Sequence, residues 1–367
     1  MLPPITEYLD SIGDVGDGPK VAASPRTMVS AIIAVRNEER HIESVLNSLL
    51  QQDAADFDLE LIIVDGDSSD ATRKITQRLA DADPRVKLVI NKHRKTPHAF
   101  NLGLDIAGGE YVCILGAHTI YARDYIATCL EELKRRGAAG CSGREWVRAG
   151  GAGLQARLVA WALAHPFGTS TGSMRTRGAG FADSIPYPVL VKSALIEAGG
   201  YDTRLHRNQD NDICQKLRSR GHTLYMTDKT SCEYFVSPDL VSLSRYAFKT
   251  GFWNFISLKV NPASMALRHF VPAAFVTVSL LSLLTFLLSF GAVGHVKLVL
   301  RSAFLLLAGT YSFASLAAAC QIAFRHKSLH PLLLPFGFII LHFSYGIGTL
   351  TAMIRNARPP VCEMSQN

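Results

Sequence analysis

The chain has 367 residues and a formal net charge of +7, with 48% hydrophobic and 19% charged residues. That length covers one large domain with additions or two domains, and the basic balance fits work at an anionic membrane surface. No basic tract with base-stacking aromatics occurs in the soluble part, which argues against nucleic acid; seven scattered cysteines without a CxxC pair imply reduced thiols, not a metal or disulfide framework.

Residues 1–26 read as a flexible leader. Glu7, Asp10, Asp14 and Asp17 are spaced by Gly and Pro, and no apolar segment of a signal peptide is seen. Residues 29–35 ("VSAIIAV") form a short β-branched apolar run, expected as a buried strand. Arg36-Asn37-Glu38-Glu39 follows, then a helical face of Ile42, Val45, Leu46, Leu49 and Leu50. Residues 59–64 ("LELIIV") are the second strand, ending in Asp65-Gly66-Asp67-Ser68-Ser69-Asp70. A helix over 72–80, a strand over 86–90, a helix over 97–107 and a strand over 110–115 complete the alternation. Strand and helix in turn at this spacing predict a doubly wound sheet with right-handed crossovers. Its ligands should collect at the strand ends after Val35, Val64 and Leu115.

Charge almost vanishes from Val271 onward. Stretches 272–292, 299–324 and 331–354 each approach or exceed the roughly 20 apolar residues that cross a bilayer core. Three transmembrane helices within 271–354 are therefore expected, with a short tail over 355–367. A soluble part without an export signal stays in the cytoplasm, and an odd number of crossings puts the tail outside. Residues 238–270 interleave Arg245, Lys249, Lys259 and Arg268 with Tyr246, Phe248, Phe252, Trp253 and Phe255. That pattern suggests helices lying in the membrane interface; an amphipathic helix packed on the soluble domain is the alternative. Only His342 is ionisable well inside a span, which argues against a channel or transporter.

The acidic turn after the second strand carries the first chemical signal. Asp70 suits capping of the next helix, but Asp65 directly ends an apolar strand, where a carboxylate can accept from a base N–H or a ribose hydroxyl. No GxGxxG or Walker A segment accompanies it, so a dinucleotide or P-loop reading lacks its phosphate cradle.

"AVRNEE" at 34–39, "IIVDGDSSDAT" at 62–72 and "NQDND" at 208–212 resemble the family-2 glycosyltransferases of the GT-A fold. "AHTIY" at 117–121, "PFGTSTG" at 166–172 and "TGFWNF" at 250–255 extend the resemblance to membrane-attached bacterial exopolysaccharide enzymes of the succinoglycan type. It covers most of 29–270. It implies a mostly parallel, mixed GT-A sheet in a cytoplasmic catalytic domain over 27–237, then an interfacial segment over 238–270 and the three spans. The implied activity is that of an inverting hexosyltransferase at the bacterial inner membrane. It would move a sugar from a nucleotide donor, a UDP-sugar, to a polyprenyl-diphosphate-linked oligosaccharide, within a polysaccharide-assembly complex. A catalytically impaired relative serving as a membrane scaffold is the second reading.

The resemblance also implies site residues. Asn37 and Glu38 match the nucleotide-contacting turn, Asp65 the uridine-binding acid, and Asp67 lies in the same turn. Asn101 and Gly103 border the donor site. Asp210 matches the general base that deprotonates the acceptor hydroxyl, worth ~10²–10⁴-fold. Gln209 stands beside it, and Trp253 lies near the place of a late Q-x-x-R-W motif that is not intact here. Arg175 and Arg177 either form a solvated loop pair or flank an acceptor phosphate. The family's metal-binding D-x-D position reads Gly116-Ala117-His118, so the first acid is missing. Ala117 stays on the donor side, and His118 is the remaining candidate ligand for a divalent cation, Mn²⁺ more readily than Mg²⁺. Restoring an acid by Gly116→Asp is expected to tighten metal binding. Arg94, Lys95 and Arg123 are further sources of positive charge for a diphosphate.

Overall fold

A computed structural model describes residues 26–291 and 293–360; the expected leader over 1–25 and the tail over 361–367, with Cys362, lie outside them. The first half alternates as the sequence predicts. It contains β1 (Thr27–Val35), α1 (Ile42–Leu50), β2 (Phe57–Asp65), α2 (Thr72–Ala82), β3 (Val86–Ile90), α3 (Thr96–Ile106) and β4 (Tyr111–Leu115). These strands lie side by side as β3-β2-β1-β4, all parallel, with Val35 opposite Asp65 and Ile33 opposite Leu115. Parallel strands are covered on both faces, so they read as continuous apolar runs. Val29, Ala31 and Ile33 of β1 pack with α1 on one face, while Ile32 packs with α3 on the other.

The second half is shorter and less regular. It runs β5 (Thr119–Tyr121), α4 (Tyr125–Arg136), β6 (Gly140–Arg148), α5 (Leu154–Ala164), α6 (Pro166–Thr169), β7 (Gly180–Phe181), β8 (Val189–Val191), α7 (Lys192–Glu197), α8 (Gln209–Ser219) and β9 (Leu224–Phe235). The sheet continues from β4 through β8, β6 and β9 to β5, with β7 also on β9. β8 is antiparallel to both neighbours, β6 and β9 are parallel, and the two short strands run antiparallel to β9. The long pairings are thus parallel and the short ones antiparallel, a mixed sheet of the expected class. The six cysteines among the described residues are all unpaired.

Four longer helices follow: α9 (Leu240–Val260), α10 (Val271–Leu288), α11 (Gly294–His326) and α12 (Leu334–Ile354). The last three, with adjoining turns, are long and apolar enough to cross a membrane. α9 and α12 run parallel along each other. Ser244 meets Ser344 at 2.8 Å, Thr349 Oγ1 donates to the Gly251 carbonyl at 3.0 Å, and Lys259 Nζ donates to Asn356 Oδ1 at 2.6 Å. Glycine allows this approach: a Cβ on Gly251 would stand 1.9 Å from the Tyr345 carbonyl oxygen, and one on Gly348 2.1 Å from that of Phe248. α9 also binds the sheet domain, through Asn208 to Asn254 (2.9 Å), Arg207 to Thr250 (2.9 Å) and Asn261 to Asp212 (2.7 Å).

Candidate active site

The ends of β1 and β2 open into two turns that hold each other. The Asn37 N–H donates to Ser68 Oγ (3.0 Å) while Asn37 Oδ1 accepts from the Ser69 N–H (2.9 Å), and the Glu38 N–H donates to Thr72 Oγ1 (2.6 Å). Asn37 and Asp67 both sit at φ +57°, a region where Asn and Asp are the common non-glycine occupants. Asp70 accepts from the Thr72 N–H at 3.0 Å, the expected cap, and from the Glu39 N–H at 3.2 Å.

Asp65 is fully buried. Its carboxylate accepts from Arg73 Nε at 2.9 Å and from the Ser68 hydroxyl and N–H. Asp67 is bracketed by Arg73 and Arg94, whose hydrogen bonds hold its carboxyl below the usual aspartate range, Arg94 contributing most. Both acids are thus already paired within the turn, and α2 supplies their shared partner.

Above this floor lies a cavity of about 330 Å³, lined by Arg36, Glu38, Arg94, Lys95, Ala117 and His118 among others. Three cations face one acid there, a balance that suits a polyanion such as a diphosphate. Of the three extra charges considered from sequence, Arg94 and Lys95 reach the cavity. Arg123 is largely exposed beside Asp53 instead. Arg36 was not singled out by the sequence, although it stands at the end of β1, where ligands collect.

His118 Nε2 lies 3.0 Å from Glu38 Oε1, and both line the cavity. Among the described residues no group of three His, Cys, Asp or Glu side chains gathers to hold a metal. His118 and Glu38 are the imidazole and the carboxylate that line this cavity, two donors of the kinds that bind divalent cations. Gly116 adds nothing to this set and is walled in: a Cβ there would stand 2.7 Å from Tyr187 Cε1 and 3.3 Å from Thr119 Oγ1. Tyr187 is itself held, its carbonyl accepting from Tyr125 Oη at 2.9 Å and its ring packing edge-on to Tyr121. The expected gain from Gly116→Asp thus meets a steric cost of ~1–3 kcal/mol. We expect the single variant to lose melting temperature. Pairing it with Tyr187→Ala should restore more stability than the sum of the two single effects allows, and strict additivity would show that crowding is not the cause.

A second, larger cavity of about 580 Å³ lies where the sheet domain meets the apolar helices. Asp210, in the first turn of α8, lines it with Arg175, Tyr246, Asn254, Arg268 and His342. Burial pushes the Asp210 carboxyl above the usual aspartate value, against the opposing pull of its hydrogen bond from the Asn211 N–H and of the Arg175 and Arg207 charges. Arg175 is fixed by Glu145 at 2.8 Å and by the Tyr234 ring, 5.1 Å to its centroid. Arg268 lines the same cavity and makes no hydrogen bond or ion pair among the described residues. Asp212, two residues from Asp210, is buried and turned into the fold, ion-paired to Lys216 at 2.8 Å.

The remaining sequence candidates take other places. Arg177 is half-buried and donates to the Phe181 carbonyl. Both ends of the Asn101 amide bind the Tyr201 backbone, at 2.8 and 2.9 Å. Gln209 keeps a buried Oε1 without a hydrogen-bond partner. Trp253 packs against His206, ring centroids 5.2 Å apart. Burial lowers the His206 pKa, and the charges of Lys95 and His98 lower it further. Sequence reasoning missed Glu145, Arg207, Tyr246 and Asn254; the aromatic-basic pattern over 238–270 was the one signal pointing to the last two.

Several known proteins are similar to this chain. The family model for glycosyl transferase family 2 matches residues 30–182. The succinoglycan biosynthesis protein ExoA of Rhizobium meliloti (strain 1021) is 29% identical over 248 residues, 66% of this chain and 72% of the relative. A dolichyl N-acetyl-alpha-D-glucosaminyl phosphate 3-beta-D-2,3-diacetamido-2,3-dideoxy-beta-D-glucuronosyltransferase of Methanococcus voltae is 32% identical over 109 residues, 29% of this chain and 34% of the relative. Among solved structures, the mannosyltransferase PcManGT of Pyrobaculum calidifontis, in complex with GDP-Man and Mn²⁺, has a TM-score of 0.53 at 19% identity, covering 96% of this chain and 92% of its own. Residues 30–182 thus carry a glycosyltransferase family 2 domain, within a GT-A-type sheet that lies ahead of three helices long and apolar enough to cross a membrane.

Proposed function

We propose that this enzyme is an inverting glycosyltransferase. It moves a sugar from a nucleotide-sugar donor, a UDP-sugar, to a polyprenyl-diphosphate-linked oligosaccharide in the assembly of an exopolysaccharide or other surface glycan. The observation that carries the reading is Asp210: a carboxylate of raised pKa in a cavity that runs from the sheet domain to the apolar helices. The ExoA and dolichyl-phosphate-named relatives support the glycan and lipid-linked classes.

In this reading residues 27–237 are the catalytic domain on the cytoplasmic face, residues 238–270 lie at the membrane interface, and the helices beyond hold the chain to the membrane. The donor occupies the first cavity, with Glu38 and Ala117 in its wall and Asn37, Asp65 and Asp67 in the turns that support it, while Asn101 acts only through the Tyr201 backbone. The acceptor occupies the second, with Asp210 at its reactive end and Arg175 in its wall, while Arg177, Gln209 and Trp253 stand outside that lining. The acceptor hydroxyl gives its proton to an Asp210 oxygen as its own oxygen bonds the anomeric carbon; the bond from that carbon to the diphosphate breaks on the opposite face. A base whose pKa is raised toward the working pH takes the proton more readily. Arg36, Arg94 and Lys95 stabilise the charge left on the diphosphate. A divalent cation held by Glu38 and His118 would supply Lewis-acid stabilisation of the same charge.

The direct test incubates membranes containing the full chain with radiolabelled nucleotide sugars and extracted lipid-linked acceptors. Label should pass to the organic-soluble lipid fraction for one donor. Donor binding without transfer to any acceptor would instead favour the scaffold reading. The pH profile gives a second check. Asp210 must be ionised to act, and its pKa is raised, so kcat/KM should fall on the acid side at a higher pH than an ordinary aspartate gives. Arg207→Met removes a charge that favours the ionised form, so its acid limb should move further up; an unmoved limb would mean that another group sets it.

A further inference from the structure

We infer that α9 and α12 form one two-helix slab lying in the plane of the membrane, facing an anionic lipid surface, and that only α10 and α11 cross. This goes beyond the chemistry above and revises the sequence expectation of three crossings.

The inference starts from charge. No Asp or Glu stands between Asp239 and Glu363, while Arg and Lys recur throughout. On α9 the exposed positions are Val241, Arg245, Lys249 and Lys259, spread from the first turn to the last of a helix about 30 Å long at 1.5 Å per residue. A helix crossing the bilayer would carry Lys249 near the centre, where a lysine facing lipid is costly. Lying flat, it sets all three cations among anionic headgroups. α12 is bound along α9 in parallel from Ser344 to Asn356, so it shares the inclination of α9. Its buried face holds Ser344, Tyr345 and Thr349 against α9. Its outer face exposes Phe336, Ile339, Ile347 and Ile354, an apolar stripe that suits the acyl side of the interface.

α10 behaves differently. Its first two turns meet α12 closely: Gly346 lies under the Pro272 carbonyl and Val276, and Phe275 packs edge-on to Phe343. Beyond them Leu280, Leu281, Leu284, Leu287 and Leu288 are exposed. α10 therefore leaves the slab rather than running along it. α11 returns beside it and is 33 residues long, about 50 Å, more than a core of ~30 Å needs. Its second half packs on α5 and along α12, from Tyr311 at 3.0 Å from His342 to Ala318, Ala319 and Ile322 beside Leu334 and Phe338. Two crossings leave Lys297 and Arg301 alone on the far side. Arg245, Lys249, Lys259, Arg268, Arg325, Lys327, Arg355 and Arg358 then share the near side, the asymmetry that sets orientation; a third crossing would move Arg355 and Arg358 to the far side and weaken it.

Single cysteines test this in the full chain, with Cys320→Ser and Cys362→Ser as background. An impermeant maleimide is applied to intact and to opened cells. Arg358→Cys should react in the same condition as Asp105→Cys of the sheet domain, and Gly291→Cys in the opposite one. Arg358→Cys reacting with Gly291→Cys, or all three reacting alike, would overturn the two-crossing topology. Nitroxides at positions 336, 347 and 354, in vesicles containing anionic lipid, should report one common depth. A steady depth gradient would show α12 crossing, and spin–spin broadening would show a second copy on this face; either result overturns the lipid slab.

Discussion

Asp210→Asn is expected to lower sugar transfer by ~10²–10⁴-fold while donor-nucleotide affinity stays within about twofold of the wild type. The substitution keeps the shape and the contact from the Asn211 N–H but leaves no carboxylate to take the acceptor's proton. Affinity should hold because Asp210 lines the second cavity and the cations suited to a diphosphate line the first. Asp212→Asn is the informative control, because the two acids share one helix turn. Asp212 is buried, pairs with Lys216 and accepts from Asn261, so its loss leaves a buried partner short and should lower thermal stability more than the chemical step. Near-normal turnover in the Asp210 variant, or equal catalytic losses in both, would remove Asp210 from the base role. Isothermal titration with the donor nucleotide and a single-turnover transfer assay separate these outcomes.

What was legible from sequence follows the physics of each element. β1, β2 and β4 announce themselves because strands buried on both faces are continuous apolar runs, and the turns after them are where α/β ligands collect. β5, β7 and β8 are two or three residues long, too short for any period to register. β9 carries exposed Asp228 and Lys229 mid-strand, which breaks the pattern that would reveal it. In the site, local signals survive and long-range ones do not. Glu38 and His118 meet across two turns 80 residues apart, and the second cavity is assembled from segments between Leu163 and Tyr345. The missing acid at Gly116 was visible as a departure from the D-x-D pattern. The reason it cannot simply be restored, the Tyr187 ring, lies on a remote segment with no mark in the local sequence. Hydropathy likewise counts three candidate spans, whereas the charge along α9 constrains α12 only once the two helices are seen side by side.

The closest backbone approach in that pairing gives the second large effect. Gly251→Leu should destabilise the chain by about 3 kcal/mol or more, at the upper end of overpacking penalties. Its Cβ would meet the Tyr345 carbonyl oxygen at 1.9 Å and the carbonyl carbon at 2.9 Å, and backbone cannot swing aside as a side chain does. The helices must separate instead. That breaks the Thr349 bond to the Gly251 carbonyl and the Asn254 bond to Tyr345, and Asn254 and Tyr345 both line the second cavity. Transfer to a lipid-linked acceptor should therefore fall together with melting temperature, while nucleotide binding in the first cavity persists at temperatures where the protein stays folded. Gly309→Leu in α11 is the matched control, since a Cβ there meets nothing within 4 Å. Thermal unfolding of both variants in detergent decides the matter: equal melting temperatures would mean that the α9–α12 seam contributes no stability, and the rigid coupling of α12 to the catalytic domain would fall with it.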